Sequence, residues 1–257
     1  MRSLTKLKAR SVCRSALLAT VLLAFSANGS AMAQATPGLG DMLFPKPNAA
    51  APQALRYSAN GRQFTLDRSF PKRPLLRFDG DAEVYALTSV FGARGDEFLR
   101  SDTGVTMLRI TSIGGVVAFG PLGTLGAPAE LIGPTRPVPR LRVPEGGNKA
   151  VAARVQKALQ PIVGAQVKIT LPSRLPTALS AELLDRVTEG VRKARLEGSG
   201  PRSRVGRVRE VRVVLAAVGG ATLRESVLWI GVSPSLGYAG RPSSEAVKAA
   251  FFLPPAR

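Results

Sequence analysis

Residues 55–68, LRYSANGRQFTLDR, decide the fold of the N-terminal half because they place two strand-like runs on either side of Asn60-Gly61. Asn-Gly is the dipeptide that a two-residue hairpin turn prefers, since both of its turn positions adopt a positive φ. The flanking runs alternate polar residues with aromatic, aliphatic and β-branched ones, as strands with one buried face do. This stretch therefore predicts a β-hairpin.

The same turn chemistry recurs as far as residue 120. Asp79-Gly80, the run 101–104 (SDTG) and Gly114-Gly115 each separate two strand-like segments. The spacing predicts an antiparallel β-meander over 55–120 with about six or seven strands. A meander of this length tends to curl, because strands twist and open edges are costly. We therefore expect a rolled sheet or a small barrel.

The pattern changes in the second half. Residues 121–147 are rich in glycine and proline, which predicts a linker with one edge strand at about 138–143. Beyond the linker, apolar periodicity predicts an α+β domain over 148–257 in the order α-β-α-β-β-α, with helices covering one side of a sheet. Its predicted elements are a helix at 149–160 capped by Asn148, a strand at 166–171, a helix at 178–197, a hairpin of 208–218 with 221–232 joined by Gly219-Gly220, and a helix at 244–251.

The N-terminus has the three parts of a secretory signal peptide. Five basic residues precede a short apolar run at 16–25, and Ala31-Met32-Ala33 then supplies small side chains. This predicts a signal peptide over 1–33, cleaved between Ala33 and Gln34, and an exported protein of the periplasm or the exterior. A membrane anchor would need about 20 apolar residues, so no transmembrane segment is expected after cleavage. Residues 34–54, rich in proline and alanine, predict a flexible lead.

Composition limits the chemistry. The chain has no histidine, and its one cysteine, Cys13, lies in the predicted signal peptide. This excludes Ser-His-Asp and Cys-His catalysis, together with histidine-ligated and thiolate-ligated metal sites in the exported chain. We expect no catalytic constellation, no cofactor and no metal site. The exported chain cannot form an internal disulfide, so burial of apolar side chains must stabilise it.

The formal net charge of +19 predicts attraction to anions. The densest basic run is 201–212, PRSRVGRVREVR, which contributes Arg202, Arg204, Arg207, Arg209 and Arg212. Guanidinium groups bind phosphates and carboxylates in a bidentate way. We therefore expect an envelope polymer, a lipid headgroup or an acidic protein as a partner. The alternative is a solvated surface. Nucleic acid is not expected, because no aromatic residues interleave with these arginines.

Two further groups are candidates for chemistry. Asp79, Asp81 and Glu83 surround a tight turn, where they could bind calcium, act in a hydrolase that uses carboxylates alone, or have a structural role. Trp229 and Tyr238 flank a turn and could form a ligand shelf. For Trp229, between Leu228 and Ile230, the core is the favoured interpretation.

Two strings resemble a known family. PLLRFDGDAEVYAL followed by RGDEFLRSDTGVTMLRITSIGGVVAFGP, within 74–121, and GYAGRPSSEAV at 237–247 are similar to exported bacterial proteins of domain of unknown function 4908. The resemblance implies an exported protein and transfers no activity or cofactor. In shape, the meander is similar to small periplasmic protease-inhibitor barrels, although these commonly hold a disulfide. A protease inhibitor or a small-ligand-binding barrel is therefore the alternative to an anion-binding envelope protein. The sequence leaves the oligomeric state open.

Overall fold

A computed structural model describes residues 53–70, 72–120 and 125–252, which all belong to one unit comprising residues 49–257. The predicted signal peptide, its cleavage point between Ala33 and Gln34, and residues 34–52 of the predicted lead lie outside the described residues. Export and the domain boundaries therefore stay predictions. Among the described helices, none combines the length and apolar character that crossing a bilayer requires.

The N-terminal half is a nine-stranded sheet that is antiparallel throughout. Its order is β4-β3-β2-β1-β9-β8-β7-β6-β5. The strands are β1 (Ala54–Ala59), β2 (Arg62–Asp67), β3 (Leu75–Phe78), β4 (Tyr85–Ala86), β5 (Thr88–Phe91), β6 (Glu97–Arg100), β7 (Thr106–Ile110), β8 (Val116–Ala118) and β9 (Ala127–Pro134). Asn60 and Gly61 turn between β1 and β2 with φ values of 48° and 75°, as the sequence predicts.

The sheet rolls up because its two end strands are neighbours in the sequence. Only Leu87 separates β4 from β5, and its amide donates a hydrogen bond to the Pro74 carbonyl at 2.8 Å. The single segment 85–91 therefore pairs with β3 through its first half and with β6 through its second half. The sheet is nearly closed, and the predicted rolled meander is confirmed.

Side chains fill the inside of the rolled sheet. Phe64, Leu76, Phe78, Leu87, Leu99 and Leu108 are fully buried there. The rings of Phe64 and Phe78 lie 5.7 Å apart, within the range of favourable aromatic contacts. The interior of the rolled sheet is therefore a packed core.

The predicted linker contains a strand that the sheet requires. β9 pairs with β1 on one side and β8 on the other, so it completes the sheet. Its Pro128 and Gly133 are poor strand formers, which conceals it in the sequence. The edge strand predicted at 138–143 is wrong, because those residues join no ladder. Val138 instead donates its amide to the Asp67 carboxylate at 2.8 Å.

The C-terminal half is a four-stranded mixed sheet in the order β10-β11-β13-β12 with helices packed against it. Its elements are α1 (Gly147–Val163), β10 (Lys168–Thr170), α2 (Thr177–Leu196), α3 (Ser199–Val205), β11 (Glu210–Leu215), β12 (Gly220–Arg224), β13 (Val227–Val232) and α4 (Ser244–Ala249). The α+β class is confirmed. The observed order is α-β-α-α-β-β-β-α, so the predicted order α-β-α-β-β-α lacked one helix and one strand.

The predicted hairpin of 208–218 with 221–232 is wrong. β11 and β13 run parallel, and the turn lies at 225–226 between β12 and β13. Gly219 has a different role, because a Cβ there would stand 2.7 Å from the Arg241 backbone. Gly219 therefore permits close packing where the sequence suggested a tight turn.

The helices follow their apolar periodicity. The stripe on α2 that includes Leu183, Leu184, Val187 and Val191 is fully buried, as predicted. α1 begins earlier than predicted, so Asn148 does not cap it and instead donates to the Leu175 carbonyl at 2.8 Å. Helical packing against β11 and β13 forms the second core of the protein.

Candidate functional site

The arginines predicted to bind anions are spread over three elements. Arg202 and Arg204 lie on α3, Arg207 and Arg209 follow it, and Arg212 lies on β11. Their anion-binding role stays a prediction.

Several of these guanidinium groups bond to the protein itself. Arg202 donates to the Arg195 carbonyl at 3.3 Å, and Arg209 donates to two nearby carbonyls at 2.8 and 2.9 Å. Arg212 binds both oxygens of Glu210, at 2.8 and 2.9 Å. This contact holds the pKa of Glu210 below its usual range. Much of the donor capacity of the run is therefore used locally.

The three candidate carboxylates have three different sets of partners. Asp79 pairs with Arg56, and Asp81 accepts from Arg62 at 3.2 Å. Glu83 is 5 % exposed and accepts hydrogen bonds from Ser244. Within the described ranges, no three metal-ligating side chains come together. Each of the three carboxylates therefore stabilises a different contact, to Arg56, Arg62 or Ser244.

Glu83 belongs to the junction between the two halves. The Ser244 amide donates to it at 2.8 Å, and the Ser244 hydroxyl donates to its other oxygen. Next to this contact, Asp102 accepts from the Ser243 amide at 2.6 Å and from the Ser243 hydroxyl at 2.7 Å. Two acids of the N-terminal half, Glu83 and Asp102, therefore hold residues 237–247 against the rolled sheet. We call residues 237–247 the fastening segment.

Two buried arginines complete the junction. Arg241, 4 % exposed, donates to Glu182 at 2.6 Å and to the Val84 carbonyl at 2.9 Å. Arg186, 7 % exposed, lies 3.7 Å from Glu83 and 3.5 Å from Glu182. Burial lowers the pKa of Arg241, while the nearby carboxylates of Glu182 and Glu83 oppose that shift. Two positive and two negative side chains thus compensate one another at the junction, and Glu182 is the most exposed of the four, at 18 % of its side chain.

Glycine permits this close approach. A Cβ on Gly240 would stand 1.9 Å from the Ser233 carbonyl oxygen, and one on Gly190 of α2 would stand 2.6 Å from the Ser244 carbonyl oxygen. Both distances are too short for any side chain. These glycines allow the fastening segment to pack directly on the sheet and on α2.

An apolar groove lies beside the fastening segment and has a volume of about 890 Å³. Three separate parts of the chain line it: Phe70, Lys72, Arg73 and Leu75 from the rolled sheet, 138–141 from the connection, and 234–239. Its apolar side chains include Phe70, Leu75, Val138, Leu141 and Leu236. Phe70 is 60 % exposed and Leu236 is 41 % exposed. Apolar surface of this kind in a concave site is typical of ligand pockets.

The groove carries positive charge. Lys72, Arg73 and Arg140 line it, and no acidic side chain does among the described residues. Arg73 donates to the Thr88 hydroxyl at 3.0 Å. Lys72 and Arg140 are exposed and form no ion pair within the described part of the chain. The groove therefore combines an apolar surface with uncompensated cations.

A smaller and more polar chamber of about 340 Å³ adjoins the groove. Arg73, Tyr238 and Ala239 line both cavities. The walls of the chamber also include Tyr85, Arg100, Asp102 and Arg241. Burial, with the nearby Glu83 charge, raises the pKa of Tyr85, so its hydroxyl keeps its proton.

The two candidate aromatic residues are not neighbours in one shelf. Tyr238 lines the groove and donates its hydroxyl to the Pro139 carbonyl at 3.0 Å. Trp229 lies half-buried on the face of β13 opposite Leu228 and Ile230, under the Arg212 guanidinium at 4.7 Å. The core interpretation of Trp229 is therefore wrong, because alternation along a strand sends it to the outer face.

Comparison with known families gives one match. The profile of the family described as domain of unknown function (DUF4908) matches residues 39–251. The chain belongs to this family. The match spans all the segments that form the groove, the chamber and the fastening segment of this DUF4908 protein. No curated protein and no solved structure matches the chain.

Sequence reasoning missed the groove. Its cations and apolar residues come from three segments far apart in the chain, so no local spacing marks them. The only sequence feature that points to this region is the string 237–247, which stands out through its resemblance to the family.

Proposed function

We propose that this DUF4908 protein is a non-enzymatic binding protein of the cell envelope whose groove takes an anionic amphiphile. The observation that carries this proposal is the combination of apolar lining with Lys72, Arg73 and Arg140. Of the three anionic partners expected from the net charge, this geometry favours a lipid. A polar envelope polymer would leave the apolar lining in water, and an acidic protein would have to insert apolar side chains as well as supply charge.

The energetics support an alkyl chain with a charged end. Burying an alkyl chain contributes about 0.8 kcal/mol for each methylene group removed from water. An anionic group beside uncompensated cations adds charge-assisted hydrogen bonds, which are about twice as strong as neutral ones. The volume of about 890 Å³ lies in the usual range of small-molecule sites.

The predicted signal peptide at 1–33 supports an envelope location, where such amphiphiles are abundant. The packed interior of the rolled sheet directs the ligand to the groove, since aromatic and aliphatic side chains occupy the inside of the sheet. The proposed role is therefore binding or carriage of a lipid outside the cytosol.

Displacement of a fluorescent long-chain carboxylate tests the apolar half of the proposal. Dodecanoate should displace the probe, and dodecanol should displace it at least tenfold less well. Phe70→Ala should weaken binding by about threefold to tenfold, because it removes exposed apolar surface from the groove. The matched control is Phe91→Ala, which removes a phenylalanine that is 76 % exposed on β5.

A second pair of variants tests the charge. Lys72→Gln with Arg140→Gln should reduce the advantage of dodecanoate over dodecanol. The matched control, Arg202→Gln with Arg207→Gln, removes the same number of exposed charges elsewhere. Equal losses in both double variants would show that binding follows net charge alone, and the groove would be rejected as the site.

A further inference from the structure

We propose that the polar chamber beside the groove binds a phosphate group, either as the headgroup of the amphiphile in the groove or as free phosphate. The headgroup source rests on the proposed function, whereas the free-phosphate source does not. The chamber is lined by Tyr85, Arg73, Arg100 and Arg241, with Asp102 as its acid.

Tyr85 supplies a fixed hydrogen-bond donor. It is 9 % exposed, it lines the chamber, and the described residues give its hydroxyl no hydrogen-bond partner. The hydroxyl keeps contact with the open space of the chamber, so it can donate to a ligand oxygen there. The Tyr85 ring packs edge-on against Phe78 at 6.3 Å, which fixes its orientation. The hydroxyl is therefore available to donate to an oxyanion in the chamber.

Arg241 supplies a fixed positive charge in the chamber wall. Its Nε has no hydrogen-bond partner among the described residues, although Glu182 and the Val84 carbonyl occupy other donors. Since a guanidinium group stays protonated in proteins, this charge persists at any working pH. The low local dielectric strengthens its attraction for an anion in the chamber.

Arg73 and Arg100 supply two further positive charges. Arg100 is exposed at the end of β6, and Arg73 is held by its bond to Thr88 at 3.0 Å. Asp102, the acid among the described residues that line the chamber, accepts hydrogen bonds from Ser243 on both oxygens, and its charge offsets one of these cations. With Glu182 offsetting Arg241, the chamber keeps one positive charge in excess.

The donor set fits phosphate better than carboxylate. A phosphate monoester presents three acceptor oxygens and up to two negative charges, whereas a carboxylate presents two oxygens and one charge. One tyrosine hydroxyl and two adaptable guanidinium groups can satisfy three oxygens at once. The shared walls, Arg73 and Tyr238, let one ligand place its alkyl chain in the groove and its phosphate in the chamber.

Titration calorimetry of the purified protein with inorganic phosphate, dodecyl phosphate and dodecanoate tests this proposal. Dodecyl phosphate should bind at least tenfold more tightly than dodecanoate. Tyr85→Phe should weaken dodecyl phosphate binding by about tenfold, the usual worth of a hydrogen bond to a charged group. It should leave dodecanoate affinity within about twofold, because the carboxylate is expected at the groove cations.

The controls are matched in chemistry and burial. Tyr57→Phe removes the hydroxyl of another buried tyrosine of the rolled sheet, and it should change neither affinity. Arg100→Gln should weaken phosphate binding, whereas Arg224→Gln, an exposed arginine on β12, should not. Tyr85→Phe keeps the ring that packs on Phe78, and circular dichroism should show an unchanged fold.

The outcomes separate this proposal from the proposed function. If inorganic phosphate binds as tightly as dodecyl phosphate and both lose affinity in Tyr85→Phe, the chamber binds free phosphate and the amphiphile function fails. If dodecyl phosphate binds and only Phe70→Ala weakens its binding, the groove is supported as the ligand site and the chamber proposal is overturned. If neither phosphate compound binds, the chamber proposal is overturned as well.

Discussion

Two regions of this protein concentrate arginine, and they use it differently. In the basic run 201–212 the arginines are neighbours in sequence. Many of their hydrogen bonds go to backbone carbonyls and to Glu210. At the junction of the two halves, Arg186 and Arg241 are far apart in sequence and buried, and carboxylates face both. The junction also borders the groove and the chamber. The arginines that cluster in the sequence therefore lie on a surface, whereas the arginines that folding brings together lie at the candidate site.

The junction should be far more sensitive to substitution than the run. Arg241→Met removes the contacts to Glu182 and the Val84 carbonyl and leaves the part-buried Glu182 with Arg186 alone, and we expect it to lower the free energy of unfolding by about 2–4 kcal/mol. Arg207→Gln, on the exposed run, should change it by less than about 0.5 kcal/mol. Urea unfolding measures both.

A double variant sharpens this test. Adding Glu182→Leu to Arg241→Met removes the carboxylate that has lost its closer partner and should recover part of the loss, because replacing both partners by apolar groups can be nearly neutral. Equal stabilities of Arg241→Met and Arg207→Gln would contradict the contrast between the two regions.

Close packing gives the next largest effect. Gly190→Ala would place a Cβ 2.5 Å from Val247, and we expect a loss of about 1–3 kcal/mol in unfolding free energy. Gly200 on α3 has open space around its Cβ position. Gly200→Ala should therefore stabilise the protein by up to about 1 kcal/mol, since alanine favours a helix over glycine. Thermal unfolding of both variants checks the prediction; a loss in Gly200→Ala as large as in Gly190→Ala would refute it.

The parts of the fold that local signals encode could be predicted. Asn60-Gly61 and its related turns predict the meander, and the apolar stripe on α2 predicts the second core. β9 was not predicted, because Pro128 and Gly133 are poor strand formers. The strand is recognisable only by its pairing with β1 and β8. The parallel pairing of β11 with β13 escaped for a similar reason, since the Gly219-Gly220 pair has the local signature of a turn.

The candidate site could not be predicted, because its residues meet only after folding. Glu83 lies next to a hairpin turn and looked like one of three turn carboxylates, yet its partner, Ser244, is 161 positions away in the chain. Lys72 and Arg140 are each isolated cations in sequence. No periodicity connects residues from segments that the rolled sheet brings together.

The run should still bind anionic surfaces without specificity. Replacing Arg202, Arg207 and Arg209 by serine should reduce retention on anionic vesicles by about tenfold at low salt, because each exposed cation near such a surface contributes up to about 1 kcal/mol. The difference should vanish at high salt through screening. Vesicle cosedimentation across a salt series checks this; unchanged retention would remove the run as an anion-binding surface.

The smallest effect is expected at the ion pair between Asp96 and Arg109 of the rolled sheet. Hydrogen bonds from Arg109, and secondarily from the Ser112 amide, hold the pKa of Asp96 below its usual range. A lowered folded-state pKa means that this stabilisation is present above the unfolded pKa of about 3.9 and disappears as the pH falls through the folded value. Asp96→Asn should therefore flatten the acid side of the stability profile. A profile as steep as that of the unmodified protein would assign the acid sensitivity to other carboxylates.

Photolabelling with a diazirine-bearing long-chain alkyl phosphate tests the central claim most directly. Peptide mapping should place the label on the residues that line the groove, at positions 70, 72, 73, 75, 138–141 and 234–239, and excess unlabelled dodecyl phosphate should abolish it. Labelling concentrated on 202–212, or labelling that resists competition, would contradict the assignment of the ligand site to the junction of the two halves.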